Sequence, residues 1–162
     1  MEVRMRKLLS GGLVFAGLVS VPVAVSVGQQ TVPMQPEAHH SDTRVGLLKD
    51  FFERSDCPVA DLTHVFLEAA DDYGLDWRLL PSLSFIESGG GKVARNNNIF
   101  GWNNGRASFH SVAASIHRVG YQLSRGQYYR NKDLDGILYA YNPLAGYAAK
   151  VKSVMNKISP AE

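Results

Sequence analysis

Among the acids of this 162-residue chain, Glu87 stands where a carboxyl could do chemistry: it closes an apolar run that begins at Leu79, and Gly89, Gly90 and Gly91 follow almost at once. Each helical residue advances about 100°, so Glu87 lies about 40° from Leu83 and about 80° from Leu79, at the edge of a buried stripe. Glycine adopts positive φ without strain, so the triplet predicts a helix stop that leaves Glu87 in the last turn, near the negative end of the helix dipole. Partial burial and that dipole both favour the uncharged carboxyl, as a general acid working near neutral pH requires. The same position also suits an ordinary solvated acid at a helix end, so Glu87 alone does not decide between the two.

Residues 89–108 carry glycines at 89, 90, 91, 101 and 105 and asparagines at 96, 97, 98, 103 and 104, without a sustained helical or strand period. That composition predicts a loop of tight turns, in which a short β-ribbon near 92–107 would be unsurprising. Its amides suit sugar hydroxyls and N-acetyl groups. Phe100 and Trp102 offer flat faces to sugar C–H surfaces, or alternatively plug the core beneath the loop.

The run Glu87-Ser88-Gly89-x-Gly91, followed by Asn97-Asn98-x-Phe100-Gly101, resembles the bacterial glucosaminidase family of peptidoglycan hydrolases, a branch of the lysozyme-like superfamily. The resemblance implies that Glu87 is the catalytic acid and that the turn through Asn98, Phe100 and Gly101 lines a sugar cleft. Ser88, Asn97 and Trp102 join them as substrate-binding candidates. A second segment, from Leu138 to Ala148, is similar both to the Tyr-Ala-x-x-Pro-x-Tyr-Ala pattern of glucosaminidases and to the Ala-Tyr-Asn motif of lytic transglycosylases. In both families a tyrosine from this region faces the acid. On that likeness Tyr141 is expected to bond Glu87 or the substrate, with Tyr139 as the fallback and Asn142 in the binding set; a plain core tyrosine is the competing role for Tyr141.

The resemblance spans roughly residues 61–158 and departs from both templates. Only Lys92 to Asn96 separates the two motifs, where glucosaminidases commonly carry a longer insertion that can hold a second carboxylate. Ile99-Phe100-Gly101-Trp102 stands where lytic transglycosylases have Gly-Leu-Met-Gln. No acid occurs between Ser88 and Lys132, so Asp133 and Asp135 are the remaining downstream partners for a two-carboxylate mechanism, and Asp133 is already explained as a helix N-terminal residue. The expected chemistry therefore has Glu87 protonate the leaving oxygen while the sugar's own 2-acetamido group or C6 hydroxyl attacks. Water then gives hydrolysis, and the C6 hydroxyl gives a 1,6-anhydro product.

The elements that must position Glu87 are helical. Ser41 or Asp42 caps a helix to about Arg54, with Val45, Leu48, Phe51 and Phe52 at three- and four-residue spacings. A second is expected from Asp61 to Tyr73, stopped by Gly74, and a third, capped by Asp76 and kinked early by Pro81, delivers Glu87. Further helices are expected from Ser111 to Ser124, Lys132 to Tyr141 and Leu144 to Ile158, with Asn142-Pro143 as a break. About six helices around the loop make a mainly-α fold, and the resemblance makes it one lysozyme-like domain over 42–162.

The N-terminus places Arg4, Arg6 and Lys7 before an apolar stretch through residues 8–27, so residues 1–27 are expected to act as a signal peptide or a membrane anchor, with Pro22 favouring the former. Residues 28–41, rich in proline and glutamine, are expected to form a linker. These features address the chain to the periplasm, cell envelope or exterior. Cys57 is the sole cysteine, so no internal disulfide forms, and a partly buried thiol is expected.

Charge is segregated. Glu37 to Glu87 holds eleven acids and four bases, whereas Ser88 to Lys132 holds seven bases and no acid. Either the two halves neutralise one another across the fold, or the basic half attracts an anionic polymer such as peptidoglycan. Nucleic acid is not an expected partner, because an export signal and near-balanced total charge argue against it. The sequence thus points to a monomeric peptidoglycan-cleaving enzyme without metal or organic cofactor. Its rivals are a lytic transglycosylase and a non-catalytic wall-binding module.

Overall fold

A computed structural model describes residues 42–160. The expected signal or anchor segment and the whole of the expected linker lie outside the described residues. Six α-helices follow in order: α1 (Thr43–Arg54), α2 (Thr63–Tyr73), α3 (Leu79–Ser88), α4 (Val112–Arg125), α5 (Leu134–Tyr141) and α6 (Tyr147–Ile158), with a 3₁₀ turn at Ala60–Leu62 before α2. The fold is mainly α, and no helix among the described residues is long and apolar enough to cross a membrane.

Local chemistry sets most of the helix ends. The Asp42 carboxylate accepts from Arg44 N and caps α1, Ser111 caps α4 through Ala114 N, and Asp133 caps α5 through Gly136 N. Gly74 and Gly89 close α2 and α3 in the left-handed conformation, each with φ of 63°. The expected kink at Pro81 does not arise. Pro81 is the third residue of α3, in the first turn, where a missing N–H forfeits no intrahelical bond. Asp76 caps the turn ahead of α3 instead of the helix itself, accepting from Arg78 N at 2.9 Å.

Helix α3 is the centre of the molecule. Its sequence, LLPSLSFIES, has no charged residue before Glu87, and Leu79, Leu80, Pro81, Ser82, Leu83 and Ser84 are all buried. A helix apolar nearly all round must be enclosed by others. Phe85 meets Phe51 of α1 edge-on at 5.3 Å between ring centroids, and Phe51 and Phe52 extend the cluster to Phe66 of α2. Fully burying each such ring contributes about 1.5–3 kcal/mol. Helix α6 packs along α3, and α4 packs along α2. Arg78 Nη1 donates to Ser159 O at 2.8 Å, tying the end of α6 to the entrance of α3. Cys57 is buried beneath the glycine triplet.

No strand occurs among the described residues, so residues 92–107 form no β-ribbon. Asn96, Asn97, Asn103 and Asn104 take φ between 52° and 57°, a left-handed conformation that curls the chain into successive turns. The loop's amides are consequently spent locally, as in Gly105 N to Gly101 O at 2.8 Å and Arg106 N to Asn103 O at 3.0 Å.

The α2–α4 contact depends on a missing side chain. A Cβ at Gly120 would stand 2.7 Å from Tyr73 Cδ2 and 3.3 Å from Leu80 Cδ1. Tyr73 has little room to yield, since His117 and Tyr121 stand edge-on to its ring. Gly120→Ala is therefore expected to lower unfolding free energy by about 1–2 kcal/mol, overpacking outweighing the gain in helix propensity. Urea denaturation followed by circular dichroism measures this.

Candidate active site

Glu87 is the penultimate residue of α3, is half-buried, and lines a cleft of about 620 Å³. The glycine triplet turns the chain sharply away beyond it, with φ of 63°, 63° and 99° at Gly89, Gly90 and Gly91. Gly90 N reaches back to Ser84 O at 3.1 Å and completes the helix stop. A side chain at Gly90 would collide with Cys57, whose Cβ and Sγ would both lie 2.7 Å from the added carbon.

Tyr147, the first residue of α6, donates its hydroxyl to Glu87 Oε1 at 2.6 Å. Its hydroxyl is held protonated far above the usual tyrosine range, first by desolvation and then by this bond. Glu87 Oε2 lies against Gly101, where a Cβ would stand 3.1 Å from it. With φ of 60°, Gly101 also needs the left-handed conformation that glycine adopts most easily. One carboxylate oxygen is thus fixed by Tyr147 while the other faces a gap that glycine keeps open.

The sequence candidates divide into two groups. Phe100, Gly101, Trp102, Tyr141 and Asn142 line the cleft with Glu87. Phe100 is also almost fully buried, so it serves the core and the cleft together. Tyr141, expected to bond Glu87 or the substrate, does not bond Glu87: its hydroxyl donates to Phe100 O at 2.6 Å, and its ring stacks on Tyr147 at 6.0 Å. Burial, and secondarily the Glu87 charge, raises the Tyr141 hydroxyl well above its ordinary value. Tyr141 therefore anchors the Phe100–Gly101 turn, and Tyr147 takes the place beside the acid.

Ser88, Asn97 and Asn98 are brought into the framework instead of the cleft lining. Ser88 Oγ donates to Ile99 O at 2.7 Å, accepts from Gly91 N at 3.0 Å, and lies 3.1 Å from Ser84 O. Asn98 closes its turn reciprocally, accepting from Trp102 N at 2.8 Å and donating to Trp102 O at 3.0 Å. Asn97 donates to Phe109 O at 2.8 Å. Buried polar groups must find partners, and here the nearest partners are the loop's own backbone. Tyr139 is exposed on α5 and does not line the cleft.

Tyr129, Arg118, Asn103, Asn104, Ala107 and Phe109 complete the cleft wall. Trp102 packs between Tyr129 and Tyr141, 6.1 Å and 6.0 Å from their ring centroids, forming an aromatic wall above the acid. The Gln127-Tyr128-Tyr129 connection and the solvent-side Arg118 carried no signal of facing a site. Only the tertiary packing of α4 and the connection after it brings them there. Among the described residues Glu87 is the sole carboxylate on the wall. Asp133 is occupied by Gly136 N, and Asp135 pairs with Lys152.

Ser88→Ala is expected to cost about 1–3 kcal/mol in unfolding free energy, because Ile99 O and Gly91 N lose a buried partner. A surface sugar-binding serine would leave the denaturation midpoint in place. Alkaline pH reports on the paired tyrosines. Their hydroxyl pKa values are raised in the folded chain, so the stabilisation they carry is complete below about pH 10, where unfolded tyrosine ionises. It falls as pH rises further, by at most about 1.4 kcal/mol per pH unit for each tyrosine. Absorbance titration near 295 nm should show Tyr141 and Tyr147 ionising only with unfolding. Set against family models, curated proteins and solved structures, the chain matches none.

Proposed function

We propose that the chain is an exported glycosidase of the lysozyme-like, glucosaminidase type, with Glu87 as the general acid for a β-1,4 bond of the N-acetylglucosamine/N-acetylmuramic acid glycan. The observation that carries this reading is the setting of Glu87: a half-buried carboxyl lining a cleft, with Oε1 held by Tyr147 and Oε2 facing the gap kept by Gly101. Oε2 accepts no hydrogen bond among the described residues, so it is the oxygen able to hand a proton to a glycosidic oxygen. Trp102 and Tyr129 supply flat faces on which pyranose rings pack.

The lone carboxylate favours a substrate-assisted route. Glu87 protonates the leaving oxygen while the carbonyl oxygen of the 2-acetamido group attacks the anomeric carbon from the opposite face, closing a cyclic oxazolinium. The C–O bond to the departing sugar breaks, and its oxygen leaves with the Glu87 proton. Glu87, now ionised, takes a proton from the water that opens the ring. Tyr147 holds the carboxyl orientation through both steps.

Incubating the full chain with purified peptidoglycan is expected to release fragments carrying reducing N-acetylglucosamine ends, identified by mass spectrometry. Glu87→Gln should lower the rate by about 10²–10⁴-fold. Tyr147→Phe should lower it by about tenfold or more without loss of helical signal. Ends of the 1,6-anhydromuramic type would assign the transglycosylase reaction to the same acid. Co-sedimentation with the wall without fragment release would replace the enzyme by a binding module.

A further inference from the structure

The basic stretch 88–132 keeps its charge unpaired. Every ion pair among the described residues joins groups outside it: Arg44 to Asp42 and Asp71, Lys49 to Glu53, Arg78 to Asp76, and Lys152 to Asp135. No acid before Glu87 therefore forms an ion pair with any of the seven bases after it. One of those bases, Arg118, is exposed near the middle of α4 and lines the same cleft as Glu87. It forms no ion pair and no side-chain hydrogen bond among the described residues, and it is the sole cation on the cleft wall. The acid does not use it, since Glu87 Oε1 is bonded to the uncharged Tyr147 hydroxyl. A planar guanidinium with its donors open to a cleft matches a carboxylate in bidentate fashion.

Resting on the glycosidase reading above, we propose that Arg118 is a specificity-determining residue that binds a carboxylate carried by the muramyl unit, selecting an anionic glycan over a neutral N-acetylglucosamine polymer. Two sources present that group: the lactyl carboxylate of a strand stripped of its peptides, and the carboxylates of an attached peptide. Trp102 and Tyr129 contact any pyranose ring through its apolar face and cannot make this distinction.

The test uses the full chain carrying Glu87→Gln, so that ligands survive, and measures Kd by calorimetry. Three tetrasaccharides of alternating N-acetylglucosamine and N-acetylmuramic acid are compared: free lactyl carboxylates, the same groups as neutral methylamides, and peptide-substituted with free peptide carboxylates. At least one charged ligand is expected to bind tenfold or more tighter than the methylamide, and which one does identifies the source. Adding Arg118→Gln should collapse that preference, and Arg118→Lys should restore part of it. Because Arg118 is exposed, circular dichroism should be the same for all variants. Equal affinity for all three ligands, or a preference that survives Arg118→Gln, overturns the assignment and leaves the Glu87 reading standing. If no ligand binds and the unmutated chain releases nothing from peptidoglycan, the glycosidase reading falls and takes this one with it.

Discussion

The hydrogen bond from the Tyr147 hydroxyl to Glu87 Oε1 joins the last turn of α3 to the first residue of α6, across 60 residues of chain. Everything between them is arranged so that this contact can form. Helix α3 must be enclosed because its sequence is apolar nearly all round, and α6 is one of the helices that encloses it. The loop from Gly89 to Ser111 must leave and return without covering the carboxyl. It does so by spending its polar side chains on its own backbone: Ser88 on Ile99 and Gly91, Asn98 on Trp102, Asn97 on Phe109. A loop pinned at three points presents Gly101 and Trp102 to the cleft in one geometry, without a strand to stiffen it.

That division explains what could be read from the sequence. Helix ends were legible at Asp42, Gly74, Gly89 and Ser111, where a cap or a glycine fixes them through interactions within a few residues. Glu87 was legible for the same reason: apolar spacing placed it on the edge of the buried stripe, and the glycines placed it in the last turn. The site was less legible than its scaffold. Asparagine and serine beside a candidate acid are equally good ligands for a substrate and for a nearby backbone amide, and only the folded path reveals that the backbone claimed Ser88, Asn97 and Asn98.

Tyr147 was hidden by a difference of three residues. Beginning the last helix at Leu144 puts Tyr147 inside it, as one more amphipathic position, while the family likeness gives Tyr141 the role beside the acid. The helix instead begins after Gly146, whose φ of 81° turns the chain so that Tyr147 is its first residue and is buried with its hydroxyl on Glu87. Tyr141 remains indispensable in another way, because its bond to Phe100 O holds the turn that carries Gly101. The segment therefore supplies two tyrosines with separate tasks, stacked on each other. Arg118 escaped notice for the opposite reason. It is exposed on α4, but being away from the core says nothing about which solvent-filled space a side chain enters.

A cleft with one carboxylate and one cation differs in what it can select from a cleft built on two carboxylates. Two acids can supply both the proton and the nucleophile, so they tolerate many sugars. With Glu87 as the one carboxylate, the attacking group on the proposed route comes from the substrate. On the proposed route, a sugar without a 2-acetamido group would have no means of reacting even if it bound well. Selection at the reacting ring then comes from the chemistry itself, and the protein's contacts are free to select elsewhere along the strand. On the same proposal, the aromatic wall of Trp102, Tyr129 and Tyr141 holds rings through their apolar faces, and charge is a feature by which a muramyl glycan differs from a neutral N-acetylglucosamine polymer. Arg118, which lines the cleft and joins no ion pair among the described residues, is the group by which that charge can be read.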